Sequence, residues 1–211
     1  MKFGVLIFPD CEELDFAGPW EMITMWSKYA EGPSDCWIIA ERSTPVTCAK
    51  GLSVNPHLVI SECPQLDFLL IPGGQGTRKE VDNPAVIKFI ADQATNCKAV
   101  LSVCTGSFLL ERAGLLNERK ATTHWASLDR MRALGTVEVV EERYVNDGKV
   151  WTSAGVAAGI DLTLAFIASV AGEETAGKVQ LYSEYYPSSV VYGDSGNHAQ
   201  APDYVKRIES P

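Results

Sequence analysis

The 211-residue sequence predicts an α/β protein in which helices cover both faces of a mostly parallel central sheet. Short apolar runs alternate with longer segments in which apolar residues recur every three or four positions. Runs such as residues 67–71 and 98–103 are apolar at most positions, which is typical of parallel strands buried on both faces. The sequence has no repeat and no linker. We therefore expect a single domain over residues 1–211, with a loosely structured C-terminal tail from about residue 187.

Strands and helices alternate in the N-terminal half. The predicted strands are residues 3–8, 36–40 and 67–71. The predicted helices are residues 13–29 and 83–95, and residues 44–48 and 52–54 form a small hairpin. Gly18 and Pro19 should interrupt the start of the first helix, because proline lacks a backbone N–H group. Asn83 and Pro84 suit the start of the second helix, as a cap and as a first-turn residue.

The C-terminal half continues the alternation. The predicted strands are residues 98–103, 137–140, 143–145 and 149–152. The predicted helices are residues 108–113, 125–134, 157–170 and 173–184. Asn146-Asp147-Gly148 is a strong hairpin signal, because these residues adopt the backbone angles of a tight turn.

Composition and charge narrow the class of function. Hydrophobic residues make up 46% of the chain and charged residues 21%, which is ordinary for a soluble globular protein. The net charge of −9 and the pI of about 4.8 argue against nucleic acid or an anionic membrane as partner. No apolar run reaches the ~20 residues of a membrane span, and the N-terminus lacks a signal peptide's apolar segment. We expect a cytoplasmic protein with reduced cysteines.

Motifs for metals and cofactors are missing from the sequence. The six cysteines form no CxxC pair, so neither a zinc site nor a dithiol redox site is indicated. There is also no Walker loop, no GxGxxG after the first strand and no HExxH. We therefore predict no metal site and no cofactor.

Cys104 lies where the periodicity changes from strand to helix. The small residues Thr105, Gly106 and Ser107 allow a sharp turn there, which would expose the cysteine as in a nucleophile elbow. The N-terminus of the following helix should stabilise a thiolate. The alternative is that Cys104 only packs in the core, as most free cysteines do.

Further candidate groups follow other strands. Asp15 comes after the first strand, and Gly73 and Gly74 come after the strand at residues 67–71. Sites in parallel sheets lie beyond the carboxyl ends of the strands, so these residues should meet Cys104 at one edge. Asp15 would be a carboxyl group with a raised pKa that transfers protons, or alternatively a helix cap. The N–H groups of Gly73 and Gly74 would hold developing negative charge, or the two glycines only form a turn.

Two weaker candidates come from the C-terminal half. His124 is a base or a structural histidine, and sequence reasoning leaves both open. Ser153 precedes a predicted helix and either lines a substrate pocket or simply starts that helix.

The order of three motifs resembles the ThiJ/PfpI superfamily. These motifs are Pro72-Gly73-Gly74 after a strand, Val103-Cys104-Thr105-Gly106 after the next strand, and Ala121 to Trp125. The resemblance covers residues 3–186 and implies a flavodoxin-like three-layer sandwich of the class I glutamine amidotransferase type. It also implies a homodimer, as is common in the superfamily.

Within the superfamily, residues 14–19 and 102–107 most resemble the isocyanide hydratases. The resemblance implies hydration of organic isocyanides to N-substituted formamides through a covalent thioimidate. It makes Cys104 the nucleophile, Asp15 the acid–base group and Thr105 a residue that contacts both water and the thiol. The protease branch has histidine where this chain has Thr105, so protease activity is not expected.

Two other functions remain open at this point. The first is a cysteine-based sensor or regulatory ligand-binding domain, since the same motifs occur in AraC-type regulators and an exposed thiolate oxidises readily. The second is a glyoxalase-like hydratase of the same superfamily that acts on α-oxoaldehydes.

Overall fold

The alternation of strands and helices continues through the chain. The computed structural model describes residues 1–187, 192–193 and 198–206. The strands are β1 Lys2–Leu6, β2 Asp35–Ala40, β3 Val46–Thr47, β4 Ser53–Val54, β5 Leu58–Val59, β6 Phe68–Ile71, β7 Ala99–Val103, β8 Lys120–Ala121, β9 Glu138–Val139, β10 Tyr144–Asp147 and β11 Val150–Ser153. The α-helices are α1 Glu13–Tyr29, α2 Thr77–Glu80, α3 Pro84–Asn96, α4 Ser107–Arg112, α5 Leu128–Arg132, α6 Ala158–Ala171, α7 Glu173–Tyr182 and α8 Asp203–Lys206.

A seven-stranded sheet forms the centre of the molecule, in the order β10-β11-β7-β6-β1-β2-β5. All neighbouring pairs are parallel except β10 and β11, which form the predicted antiparallel hairpin. The predicted α/β class with a mostly parallel central sheet is confirmed. The hairpin predicted before β5 is also present, as the pair β3 and β4.

Aromatic rings fill the layer between the sheet and helices α1 and α6. The ring of Phe166 on α6 lies 5.0 Å from that of Phe68 on β6 and 6.4 Å from that of Trp26 on α1, in edge-to-face geometry. All three side chains are at most 1% exposed. Edge-to-face pairs add about 0.5–1.5 kcal/mol each beyond area burial, so this cluster fixes α1 and α6 against the strands.

Helix α1 runs without interruption through Pro19, contrary to the prediction of a break at Gly18-Pro19. Pro19 cannot donate a hydrogen bond to the Asp15 carbonyl, but close packing against α6 holds this part of the helix. A Cβ at Gly18 would lie 2.7 Å from Ile160, and one at Gly159 would lie 3.1 Å from Pro19. Two glycines thus let the helices approach at the place where α1 lacks one of its own hydrogen bonds.

Several short elements differ from the sequence-based prediction. Strands β5 and β8 and helix α2 are too short for periodicity to reveal them. The helix predicted over residues 125–134 is a 3₁₀ turn at Trp125–Ser127 followed by α5. The predicted loose tail from about residue 187 lies largely outside the described residues. Where the tail is described, it includes α8, and Ala201 is buried.

The strand order places a topological switch point between β1 and β6. From β1 the chain moves outward to β2 and β5, and then crosses back to place β6 on the other side of β1. The loops after β1 and β6 therefore diverge at the carboxyl edge of the sheet and leave a crevice there. Within the described residues, no helix is long and apolar enough to cross a membrane.

Candidate active site

Cys104 occupies a strained turn between β7 and α4. Its φ angle is +56°, in the left-handed region that residues other than glycine rarely adopt. Its N–H donates to the Ala154 carbonyl at 3.2 Å, and its carbonyl accepts from the hydroxyls of Thr123 (3.0 Å) and Ser107 (3.1 Å). Buried hydrogen bonds on both sides of the residue thus hold the strained backbone, as strain at functional sites requires.

Gly106 permits the close approach of this turn to the neighbouring strand. A Cβ at this position would lie 2.4 Å from the Ile71 carbonyl oxygen and 2.7 Å from that of Pro72. The turn after β7 therefore packs directly on the end of β6, where only glycine fits. The geometry matches the predicted elbow, with a small residue two positions after the cysteine.

Asp15 lies in the first turn of α1 and is completely buried. Its Oδ2 accepts a hydrogen bond from the Gly73 N–H at 2.9 Å, so it does not cap its own helix. Its Oδ1 is also buried and has no hydrogen-bond partner that meets ordinary geometry within the described residues. Burial raises the pKa of Asp15 to about 7, while the Gly73 N–H and the Cys104 thiol act in the opposite direction. The protonated and the ionised forms of Asp15 are therefore both populated near neutral pH.

The Cys104 thiol is 6% exposed and interacts with the Asp15 carboxyl. Burial raises the pKa of Cys104 to about 12, the charge of Asp15 raises it further, and the N–H and hydroxyl of Thr105 act against both. The helix N-terminus is expected to stabilise a thiolate, but the net shift of the Cys104 pKa is upward. Helix α4 has only six residues, and the loss of water around the sulfur outweighs its effect. The thiol and the carboxyl therefore titrate as a coupled pair.

Gly73 and Gly74 position the two side chains that lie on either side of them. The Gly73 N–H is occupied by Asp15, and the Gly74 N–H donates to the Thr105 hydroxyl at 3.0 Å. Both N–H groups donate to protein oxygens here, so their role in holding negative charge on a substrate stays a prediction. A Cβ at Gly73 would lie 2.7 Å from the Thr105 hydroxyl and 2.9 Å from Asp15 Oδ2.

Thr105 lies at the centre of a small hydroxyl network. Its oxygen is 3.2 Å from both the Gly74 carbonyl and the Thr77 hydroxyl, and the Thr77 hydroxyl donates to the Gly74 carbonyl at 2.8 Å. Thr77 is fully buried and Thr105 nearly so. The network fixes the Thr105 hydroxyl next to the thiol, where it can donate to sulfur or to a bound molecule.

Comparisons with known proteins now place this geometry in a family. The DJ-1/PfpI family model matches residues 1–169, which is most of the chain and includes Cys104, Asp15 and Thr105. The chain belongs to the DJ-1/PfpI family. The ThiJ/PfpI resemblance seen in the sequence motifs is thereby confirmed.

Individual relatives of this DJ-1/PfpI protein differ in function. The chain is 36% identical to an isonitrile hydratase of Pseudomonas putida, over 97% of this chain and 86% of the relative. It is 28% identical to the HTH-type transcriptional regulator CdhR of Pseudomonas aeruginosa, over 84% of this chain and 53% of the regulator. A solved THiJ/PfpI family protein from Pseudomonas syringae superposes with a TM-score of 0.84 at 32% identity, covering 98% of this chain and 83% of that one. Its similarity confirms the flavodoxin-like α/β fold.

His124 and Ser153 have structural positions in this DJ-1/PfpI protein. The His124 Nδ1 accepts from the Ala126 N–H at 3.2 Å at the start of the 3₁₀ turn. Its ring packs against Gly155, where a Cβ would lie 2.3 Å from the ring. Burial lowers its pKa. Ser153 is fully buried in β11 with its hydroxyl 3.5 Å from the Ser102 carbonyl, so it is part of the sheet and not a pocket wall. Neither has a described hydrogen bond to Cys104 or Asp15.

Sequence reasoning missed Thr77, Thr123 and Arg130. The two threonines act through hydrogen bonds to the elbow from distant parts of the chain, and Arg130 is close enough to Cys104 that the thiolate raises its pKa. Thr123 stands inside the 121–125 motif, so that motif was a usable signal for it. No local pattern marks the other two. Among the described residues, no group of three His, Cys, Asp or Glu side chains is placed to hold a metal ion.

Proposed function

We propose that the protein hydrates organic isocyanides to N-substituted formamides, with Cys104 as nucleophile and Asp15 as proton-transfer group. The observation that carries the proposal is the pairing of a buried thiol with a buried carboxyl whose pKa is raised to about 7. Such a pair delivers a proton in one step and removes one in the next. The 36% identity to an isonitrile hydratase supports the same reaction, since isonitrile is another word for isocyanide.

The first step adds the thiol to the terminal carbon of the isocyanide. Asp15 takes the proton from Cys104 as sulfur bonds to that carbon, and then delivers it to the same carbon. The product is an N-substituted thioimidate on Cys104. Because the reacting pair is shielded from water, the proton passes between the two groups without release to solvent.

The second step adds water to the thioimidate carbon. Asp15 accepts a proton from the water as the water oxygen bonds to carbon, and it delivers this proton to the nitrogen as the C=N double bond becomes single. The C–S bond then breaks, sulfur leaves with the electron pair, and the hydroxyl proton returns to sulfur through Asp15. Dividing the hydration into two steps is the advantage of a covalent intermediate.

Thr105 serves both steps through its fixed hydroxyl. Its N–H and hydroxyl stabilise negative charge on the sulfur when the proton has left. The network with Gly74 and Thr77 prevents the hydroxyl from rotating away. We also propose that Thr105 orients the attacking water, since its hydroxyl interacts with the Cys104 thiol.

Incubation of the protein with para-nitrophenyl isocyanide in ¹⁸O-labelled water tests the proposal. We expect labelled formamide, and a rapid quench should give protein whose mass has increased by one substrate at Cys104. Cys104→Ser should abolish both signals, because an alkoxide is far harder to form than a thiolate. The matched control is Cys63→Ser, which changes a half-buried cysteine outside the site and should leave turnover intact.

Absence of formamide with aliphatic and aromatic isocyanides, from folded protein with reduced Cys104, would contradict the proposal. Release of lactate from methylglyoxal under the same conditions would then favour a glyoxalase-like hydratase. Ligand binding or oxidation of Cys104 without any turnover would favour the sensor, in agreement with the similarity to a transcriptional regulator.

A further inference from the structure

Two buried cysteines lie next to each other where the loop after β1 meets the β3–β4 hairpin. The Cys11 thiol donates a hydrogen bond to the Cys48 sulfur at 3.7 Å, and neither residue is more than 2% exposed. Both cysteines are free. Because they are 37 positions apart, no CxxC spacing reveals the pair. The sulfurs of a disulfide are about 2 Å apart, so these two atoms need to approach by roughly 1.7 Å to form one.

Backbone hydrogen bonds hold the two segments together beside the cysteines. The Asp10 N–H donates to the Thr47 carbonyl at 3.0 Å, and the Ala49 N–H donates to the Cys11 carbonyl at 2.9 Å. The two sulfurs therefore stay close to each other in the folded protein. Only a small movement of the side chains separates them from bonding distance.

Cys48 is the sulfur that reacts first with an oxidant. The residues that follow it on the hairpin, 49–53, are exposed, so Cys48 lies close to solvent. Burial raises the pKa of both thiols, but the hydrogen bond from Cys11 acts in the opposite direction at Cys48. Since the thiolate is the nucleophile, the pair reacts through Cys48, and more slowly than an exposed cysteine.

Cys11 also contacts the turn on which the active site is built. It pairs with Gly74 in a short β-bridge, and the N–H of the residue after it donates to the Gly73 carbonyl at 3.0 Å. The Gly73 N–H in turn donates to the Asp15 carboxyl. A bond between the two cysteines would therefore fasten the hairpin to the loop that supports this carboxyl.

We propose that Cys11 and Cys48 form a reversible disulfide when the folded protein is exposed to hydrogen peroxide. The Cys48 sulfur attacks one peroxide oxygen, the O–O bond breaks, and the products are a sulfenic acid and water. The Cys11 sulfur then attacks the Cys48 sulfur, the S–O bond breaks, and a second water leaves with the Cys11 proton. The thiols lose two electrons to the peroxide, and a dithiol reductant reverses the change.

Peptide mass spectrometry tests the proposal. Folded protein is treated with hydrogen peroxide, free thiols are blocked with N-ethylmaleimide, and the tryptic peptides are analysed without reduction. We expect the peptides 3–28 and 43–50 to be joined, with a mass about 2 Da below their sum, and dithiothreitol should separate them. Cys48→Ser should lose this product. Cys63→Ser is the matched control, because it changes a half-buried cysteine outside the pair, and it should keep the product.

Thermal unfolding gives a second measurement on the same proteins. Because the disulfide would close a long loop, oxidation should raise the Tm of the wild type and of Cys63→Ser by about 5–10 °C more than that of Cys48→Ser. Oxidation of Cys104 without joined peptides would overturn the inference, and so would peptides that join only after denaturation. Neither measurement involves an isocyanide, so its outcome is independent of the hydration assay.

Discussion

Replacing Asp15 with asparagine separates the functional value of the buried carboxyl from its effect on stability. The variant keeps an oxygen that can accept from the Gly73 N–H but cannot ionise. We expect hydration to fall by at least about a hundredfold, because no other described carboxyl interacts with the Cys104 thiol. At the same time the folded protein should become more stable at alkaline pH.

The magnitude follows from the pKa of Asp15, which burial raises from 3.8 to about 7 in the folded protein. Because the folded-state pKa is raised, the protonated carboxyl contributes stability that is fully present below pH 3.8. This contribution declines as pH increases from there and is lost as the carboxyl ionises at about pH 7. The full difference corresponds to about 4 kcal/mol in the free energy of unfolding. For a chain of this length, that is on the order of 10 °C in Tm.

Thermal unfolding of wild type and Asp15→Asn at pH 4 and pH 8 measures this difference. The two proteins should unfold at similar temperatures at pH 4, and the variant should unfold at higher temperature at pH 8. Asp92→Asn on the exposed face of α3 is the control and should show no such divergence. A Tm difference that does not change between the two pH values would refute the reasoning about burial.

Three further predictions concern the elbow and the coupled pair. Thr123→Val removes a buried hydrogen bond to the Cys104 carbonyl and should lower the free energy of unfolding in urea by about 1–3 kcal/mol. Thr122→Val is the control, since its hydroxyl has no described partner, and it should lower this free energy by less than about 1 kcal/mol. Gly106→Ala should destabilise by about 3 kcal/mol or fail to fold, because its Cβ meets backbone oxygen, whereas Gly177→Ala on α7 has open space and should raise Tm slightly. In steady-state assays, kcat/KM should rise as pH increases through about 7, because only the ionised Asp15 can accept the proton of Cys104. A flat profile between pH 5 and 9 would contradict this.

Local patterns in the sequence were sufficient for the main elements and for the position of the site. The change from strand to helix at Cys104 and the strand ends before Asp15 and Gly73 are each visible in a short stretch of sequence. Once the strands are parallel, their carboxyl ends meet at one edge, so the grouping of these residues follows from topology alone.

Local patterns in the sequence could not predict the pKa shifts of the site or the hydrogen bonds that support it. The raised pKa of Cys104 depends on burial by the whole fold and on Asp15, which is 89 positions away by number. Thr77, at the start of α2, and Thr123, after β8, reach the elbow only in the folded chain. The continuity of α1 through Pro19 depends on packing against α6. This packing cannot be predicted from residues 13–29 alone.

The missing side chain of Gly73 leaves room for Asp15 to lie against Thr105, the residue that follows Cys104. Cys104 and Asp15 follow β7 and β1, which are not neighbours, because β6 lies between them. Two strand spacings would separate the groups by about 9–10 Å if each stood directly above its own strand. The two groups nevertheless interact, and an atom at the Cβ position of Gly73 would lie 2.7 Å from the Thr105 hydroxyl and 2.9 Å from Asp15 Oδ2. The position of the Asp15 carboxyl beside the elbow thus depends on a hydrogen atom at residue 73, because even a methyl group there would displace Asp15 or Thr105.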